Sequence, residues 1–201
     1  MKKNKYSELV KGLSDKELLM HLYLTQILLL TISFLLGIIL FDRISDISTL
    51  FKWKDSRVLT IGAAAGLAVV AADLTLMRFL PSSVYDDGGL NERIFRNRSI
   101  PHIAVIAALV AFSEELLFRG VIQTHFGLIM SSIIFALVHY RYLFNWFLFF
   151  NITFLSFVIG YIYYSTGNLA VTVMLHFVID FLLGVSISLK KSGKQEGMFN
   201  E

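Results

Sequence analysis

The stretch "FSEELLFRG", residues 112–120, places Glu114, Glu115 and Arg119 inside a strongly apolar part of the chain. Each ionisable residue at mid-membrane costs about 2.5–3.5 kcal/mol to insert, so the three cost on the order of 7–10 kcal/mol before any pairing. The spacing divides them. Glu115 and Arg119 stand at i and i+4 in the favourable acid-first order and neutralise each other on one helical face. Glu114 points about 100° away around the helix and has no such partner within it. One glutamate reads as an ion-pair member and the other as a free carboxylate. Two further apolar stretches carry chemistry at the same spacing. "FALVHY" holds Phe135 and His139, and "HFVID" holds His176 and Asp180. Two imidazoles and two or three carboxylates in an apolar pocket are the ingredients for activating a water. The His-Glu-x-x-His spacing of a zincin is missing, and the sequence has no cysteine, so thiol catalysis and thiolate metal sites are excluded.

Such residues must be positioned by membrane helices. The 201 residues are 56% hydrophobic and 16% charged, with a mean hydropathy of +0.67, too apolar for an ordinary soluble domain. Runs of roughly 20 apolar residues predict spans at 19–41 and 58–80. The N-terminal apolar run is too long for a signal peptide and reads as a retained span. A polar segment, 81–99, follows, in which "LNERIFRNR" predicts a short amphipathic helix at the interface. Breaks at Phe126-Gly127, at Arg141–Asn145 and at Ser165–Asn168 divide the remainder into helices at about 100–125, 128–143, 146–164 and 169–189. The expected fold is all-α, a polytopic transmembrane helix bundle of about six spans. Residues 1–99 supply two helices and a cytoplasmic interfacial loop, 100–189 a four-helix core, and 190–201 a basic cytoplasmic tail. With the N-terminus inside, inner segments hold twelve Lys and Arg, against Arg43, Lys52, Lys54 and Arg57 in the one long outer loop. That count places both termini in the cytoplasm.

Helix rise gives a depth test. Glu114 precedes the turn at Phe126 by about 18 Å, and His139 follows Gly127 by about 18 Å on the return. From Gly167, His176 and Asp180 lie about 14 and 20 Å in. All four fall in one layer, on the side where the Arg141–Asn145 turn opens towards the cytosol. Other features have plainer readings. Asp73 pairs with a donor on a neighbouring helix, Phe135 packs in the core against His139, and Gly62 and Gly66 form a small-xxx-small helix contact. His21, His102 and His125 sit near helix ends. The run Tyr140–Phe150 forms a lipid-facing aromatic belt. The mild net charge of +3 lies between apolar runs, which fits lipid headgroups as partners and not nucleic acid.

The order Glu-Glu-x-x-x-Arg, Phe-x-x-x-His, His-x-x-x-Asp resembles the CPBP family, the CAAX-protease and bacteriocin-processing or Abi family, over roughly residues 100–189. The resemblance implies an intramembrane endopeptidase of the bacterial plasma membrane, acting on a peptide or membrane-protein substrate, lipidated ones included. It implies Glu114 as the general base that activates water and His139 as its helper. Glu115 and Arg119 would organise the site, and His176 and Asp180 would stabilise the oxyanion. Many members have Asn where this chain has Asp180. An ionised Asp cannot donate to an oxyanion, so Asp180 either orients the His176 ring or carries a proton. The family has been described both with and without a metal. No cofactor is favoured here; zinc, with Glu114, His139 and His176 as candidate ligands, is the alternative. Two other functions use the same residues: a non-catalytic immunity or peptide-binding scaffold, and a small transporter or proton relay.

Overall fold

Backbone amides in hydrocarbon have no water to bond, so apolar runs of this length close their hydrogen bonds internally as helices. The computed structural model describes residues 12–140, 142 and 145–196, with backbone alone at 82 and 190–196. Helix α1, Asp15–Leu40, opens on a reciprocal cap: Ser14 Oγ accepts from Glu17 N at 3.2 Å and Glu17 Oε2 accepts from Ser14 N at 2.7 Å. Next come a short α2, Asp46–Thr49, and a π-helical turn, Val58–Ala63, that leads into α3, Ala64–Phe79. The polar segment contains α4, Leu90–Phe95. Helix α5, Ile100–Glu115, continues as a π-helical stretch, Leu116–Gln123, into α6, Thr124–Val138. Helices α7, Trp146–Thr166, and α8, Leu169–Glu196, complete the described chain.

Among the described residues, five helical segments are long and apolar enough to cross a membrane: Asp15–Leu40, Val58–Phe79, Ile100–Val138, Trp146–Thr166 and Leu169–Leu189. Large apolar side chains face outward along them, Ile39 and Phe79 among the most exposed. The chain is an integral membrane protein. The break expected at Phe126-Gly127 is present: the run Ile100–Val138 divides into two helical legs at Gly127, whose φ of 82° and ψ of 170° suit glycine alone. Beyond the bend the chain returns along itself. Ser131 Oγ donates to the Phe118 carbonyl at 2.6 Å, and the Phe118 and Phe135 rings meet edge-on at 4.9 Å. This second leg ends at Val138, about 16 Å past the bend, and is shorter than an ordinary span.

Contacts sort the helix ends onto two faces. On one face Arg93 pairs with Asp15 at 2.9 Å, Tyr23 bonds His102 at 3.0 Å, Ser188 donates to the Arg98 carbonyl at 3.1 Å, and Asn145 reaches the Asp86 carbonyl. On the other, the loop after α2 is clipped to the α7–α8 turn. The amide of buried Asn168 bonds both N–H and C=O of Lys52 at 3.0 Å, and Leu169 N donates to Leu50 O at 2.8 Å. Arg57 grips Asp55 beside this clip, 2.6 Å between Nη2 and Oδ2, and holds its carboxyl down to about 2. The expected helix in "LNERIFRNR" is α4. It does not lie loose at the interface: Leu90 and Ile94 are buried against Leu18 and Ile106.

The small-xxx-small contact is present. A Cβ on Gly62 would meet the Val171 carbonyl at 2.5 Å, and one on Gly66 the Leu175 carbonyl at 2.8 Å, so α3 lies directly on α8. Asp73 accepts from Asn151 Nδ2 at 3.3 Å, which is the neighbouring-helix donor expected for it. Helix α8 runs past the expected end at 189, through Glu196; residues 197–201, Lys2, Lys3, Lys5, Lys11 and Arg141 lie outside the described residues.

Candidate active site

Glu115 and Arg119 leave consecutive turns of the α5 segment on one face, and neither has appreciable exposure. Glu115 Oε1 lies 3.3 Å from Arg119 Nη1, without hydrogen-bond alignment, so proximity of charge rather than a forked bond joins them. The same oxygen takes a hydrogen bond from Nδ1 of His176 on α8, at 2.9 Å. Arg119 Nη2 donates to both the carbonyl and the hydroxyl of Ser156 on α7, each at 3.2 Å. The guanidinium sits 4.8 Å above the Phe135 ring of α6. Two buried charges therefore tie together four helical legs. Arg119 lies in the π-helical stretch, where its carbonyl also accepts from Thr124 Oγ1 at 3.0 Å.

His176 is held from both sides. Its Nε2 lies 3.5 Å from Oδ2 of Asp180, one turn further along α8, so each ring nitrogen faces a carboxylate. His139 caps α6. Its Nδ1 lies 2.8 Å from the Phe135 carbonyl, which can only accept. In the neutral ring Nδ1 therefore carries the hydrogen and Nε2 is the nitrogen that takes a proton. The His139 ring also packs on Phe135, 4.4 Å between centroids, and stacks parallel to Tyr142 at 6.2 Å.

Glu114 is the exception. Among the described residues it makes no hydrogen bond and no ion pair, and it is only partly buried. It lines a cavity of about 740 Å³ together with His139, His176 and Asp180. Leu13, Asn91 and Ile187 also line it, so the cavity opens at the face that carries α4 and the start of α1. The four residues that helix rise placed in one layer thus share one cavity, with the carboxylate that lacks a partner in its wall.

A zinc ion does not fit this arrangement. Both His176 nitrogens are turned to carboxylates, and Glu115 is committed to Arg119 and His176. Among the described residues no three His, Asp or Glu side chains converge as a metal site.

Residues 96–182 match the family described as type II CAAX prenyl endopeptidase, Rce1-like. The chain is also 43% identical over 164 residues to the uncharacterized protein YpbD of Bacillus subtilis (strain 168), across 82% of this chain and 87% of that relative. The chain belongs to the CPBP family. The UPF0177 protein YxdF of Lactococcus lactis subsp. lactis (strain IL1403) is 30% identical over 121 residues, 58% of this chain and 67% of that protein. No solved structure matches the chain.

The CPBP motif residues all fall in the stretch that the family match covers, but several of their partners were not legible in the sequence. Ser156 and the Glu115–His176 bond link helices whose rotation about their own axes no spacing reveals. Tyr142 was expected in a lipid-facing belt. It is 9% exposed and lines the cavity; Tyr140 is exposed but lines the cavity too, while Trp146 and Phe150 face outward as expected. Gln26, on α1, lines the cavity as well and lies outside the matched stretch. Its signal was an amide within an otherwise apolar span.

Proposed function

We propose that this CPBP protein is an intramembrane endopeptidase that hydrolyses a peptide bond near the cytoplasmic side of a bacterial membrane, with no metal step. The carrying observation is the unpartnered Glu114 in a cavity shared with His139, His176 and Asp180. Glu114 holds a water and takes its proton as the oxygen attacks the scissile carbonyl, then returns that proton to the departing amine. His139 Nε2 positions the water. Glu115 and Arg119 fix the wall of the site, and Glu115 and Asp180 hold the His176 ring in it, one at each nitrogen. The bent Ile100–Val138 segment supplies two passages, which makes six in all, with both termini and the cavity mouth in the cytoplasm. The substrate is a peptide or membrane protein. The family's description favours a prenylated one.

The test uses the purified full chain in liposomes and a quenched fluorescent peptide with a prenylated cysteine near its C-terminus. An unprenylated copy runs in parallel. Wild type is expected to cleave the prenylated probe, and Glu114→Ala and His139→Ala to lose cleavage while remaining folded. Equal cleavage by all three proteins would falsify the mechanism. Failure of wild type to cleave either probe removes the peptidase reading.

A further inference from the structure

The first helix lies outside the stretch that matches the family, yet it carries a polar group into the cavity. Gln26 is 4% exposed and shares the cavity wall with Glu114. Its amide orientation is set by the Leu22 carbonyl; the single Ser113 hydroxyl hydrogen is shared among the amide oxygen and the Leu109 and Val110 carbonyls, at 2.8 and 3.1 Å. The Leu22 carbonyl, at 3.2 Å, accepts only, so the nitrogen must face it. Ser113 Oγ donates to the oxygen at 2.6 Å. An amide nitrogen carries two hydrogens, and among the described residues Leu22 takes only one of them. A buried N–H left over in the wall of a cavity is a donor awaiting an acceptor. Ser113, whose hydroxyl meets the amide oxygen, is the residue immediately before Glu114 on α5, so the amide and the carboxylate lie beside neighbouring positions of one helix. Thr25, the neighbouring polar residue on α1, is not equivalent: its hydroxyl donates to the His21 carbonyl at 2.9 Å.

We propose that Gln26 is a substrate-binding residue whose spare amide hydrogen bonds a main-chain carbonyl of the peptide held beside Glu114. The inference rests on the peptidase reading. It gives α1 a share in the site and predicts recognition of the peptide main chain regardless of side-chain identity. A bond of this kind is worth about 1–1.5 kcal/mol, or roughly tenfold in affinity.

The alternative is a helix clamp, in which the Gln26–Ser113 bond only joins α1 to α5. Steady-state cleavage of the prenylated probe by the full chain in liposomes separates the two. Gln26→Met is expected to raise KM about tenfold with kcat within about threefold. Ser113→Ala breaks the same interhelical bond but leaves the amide nitrogen. It is expected to lower thermal stability as much as Gln26→Met does and to leave KM within about twofold. Gln26→Glu keeps an acceptor for Ser113 but has no N–H, and it carries the test with the same rise in KM if the Met variant does not fold. An unchanged KM in the Gln26 variants, or an equal change in Ser113→Ala, overturns the proposal while leaving the peptidase reading intact. If wild type fails to cleave the probe, the peptidase reading falls first and takes this one with it.

Discussion

Two adjacent glutamates in one apolar helix have opposite surroundings, and substitution should expose the difference. Among the described residues Glu114 has no bonds to lose, so Glu114→Gln should lower turnover of a cleavable probe by on the order of 10²–10⁴-fold with an unchanged unfolding temperature. Arg119 is the reverse. Arg119→Met strands a buried carboxylate and should cost about 3–5 kcal/mol in thermal or denaturant unfolding in detergent. Adding Glu115→Gln removes the stranded charge and keeps an acceptor for His176, so the double variant should be more stable than Arg119→Met alone. A double variant that loses the sum of the single effects would sink the ion-pair account. The division of labour was legible because i,i+4 spacing within one helix is a local fact. The bond from Glu115 to His176 was not, because it joins residues 61 apart whose meeting depends on how two helices are turned.

Glycines decide where the helices bend and how closely they approach, and the sequence marked them unevenly. Gly62 and Gly66 stand four apart in a span, a pattern that reads as a close contact but does not say with which helix. Their partner is α8, the helix that carries His176 and Asp180, so the α3 contact backs the cavity wall that those two residues line. Gly66→Val should destabilise the bundle by about 1–3 kcal/mol, since its Cβ meets both the Leu175 carbonyl and the Val178 Cβ at 2.8 Å. The same variant should lower activity through displacement of α8. Unaltered stability would mean that α3 does not rest on α8. The turn at Gly127 was also legible as a break between apolar runs. Its consequence was not: a return leg that stops at Val138 and delivers His139 from a helix end. The π-helical widening at Leu116–Gln123 left no sequence mark; it coincides with the turn that places Arg119 among Phe135, Ser156 and Glu115.

At the scale of the whole molecule, the loop on the face away from the cavity mouth is held by polar contacts that titrate. The Asp55 carboxyl is depressed to about 2 from an ordinary 3.8, chiefly by its hydrogen bonds to Arg57. A depressed carboxyl contributes stability that is fully present above the unfolded value and lost as pH falls through the folded one. The stability difference between wild type and Asp55→Asn should therefore hold above about pH 4, fall as pH drops towards 2, and vanish only below about pH 2. Which membrane side carries this loop follows from charge and contacts together. The contacts put the Asp15, Arg93, Arg98 and Ser188 regions on one face and the Lys52–Asn168 clip on the other. The excess of Lys and Arg belongs with the first face, so that face is predicted to be cytoplasmic. The absence of cysteine from the sequence makes this directly measurable, since a single introduced thiol reports alone. Ser99, which makes no capping bond, and Lys54 are exposed on opposite faces. In intact cells an impermeant maleimide should label Lys54→Cys and spare Ser99→Cys until the membrane is permeabilised. The reverse pattern would place the cavity mouth outside and exclude a cytosolic substrate. Labelling of both in intact cells would break the two-face assignment itself, because the Asp15–Arg93 and Lys52–Asn168 contacts could not then stand on opposite sides of one bilayer.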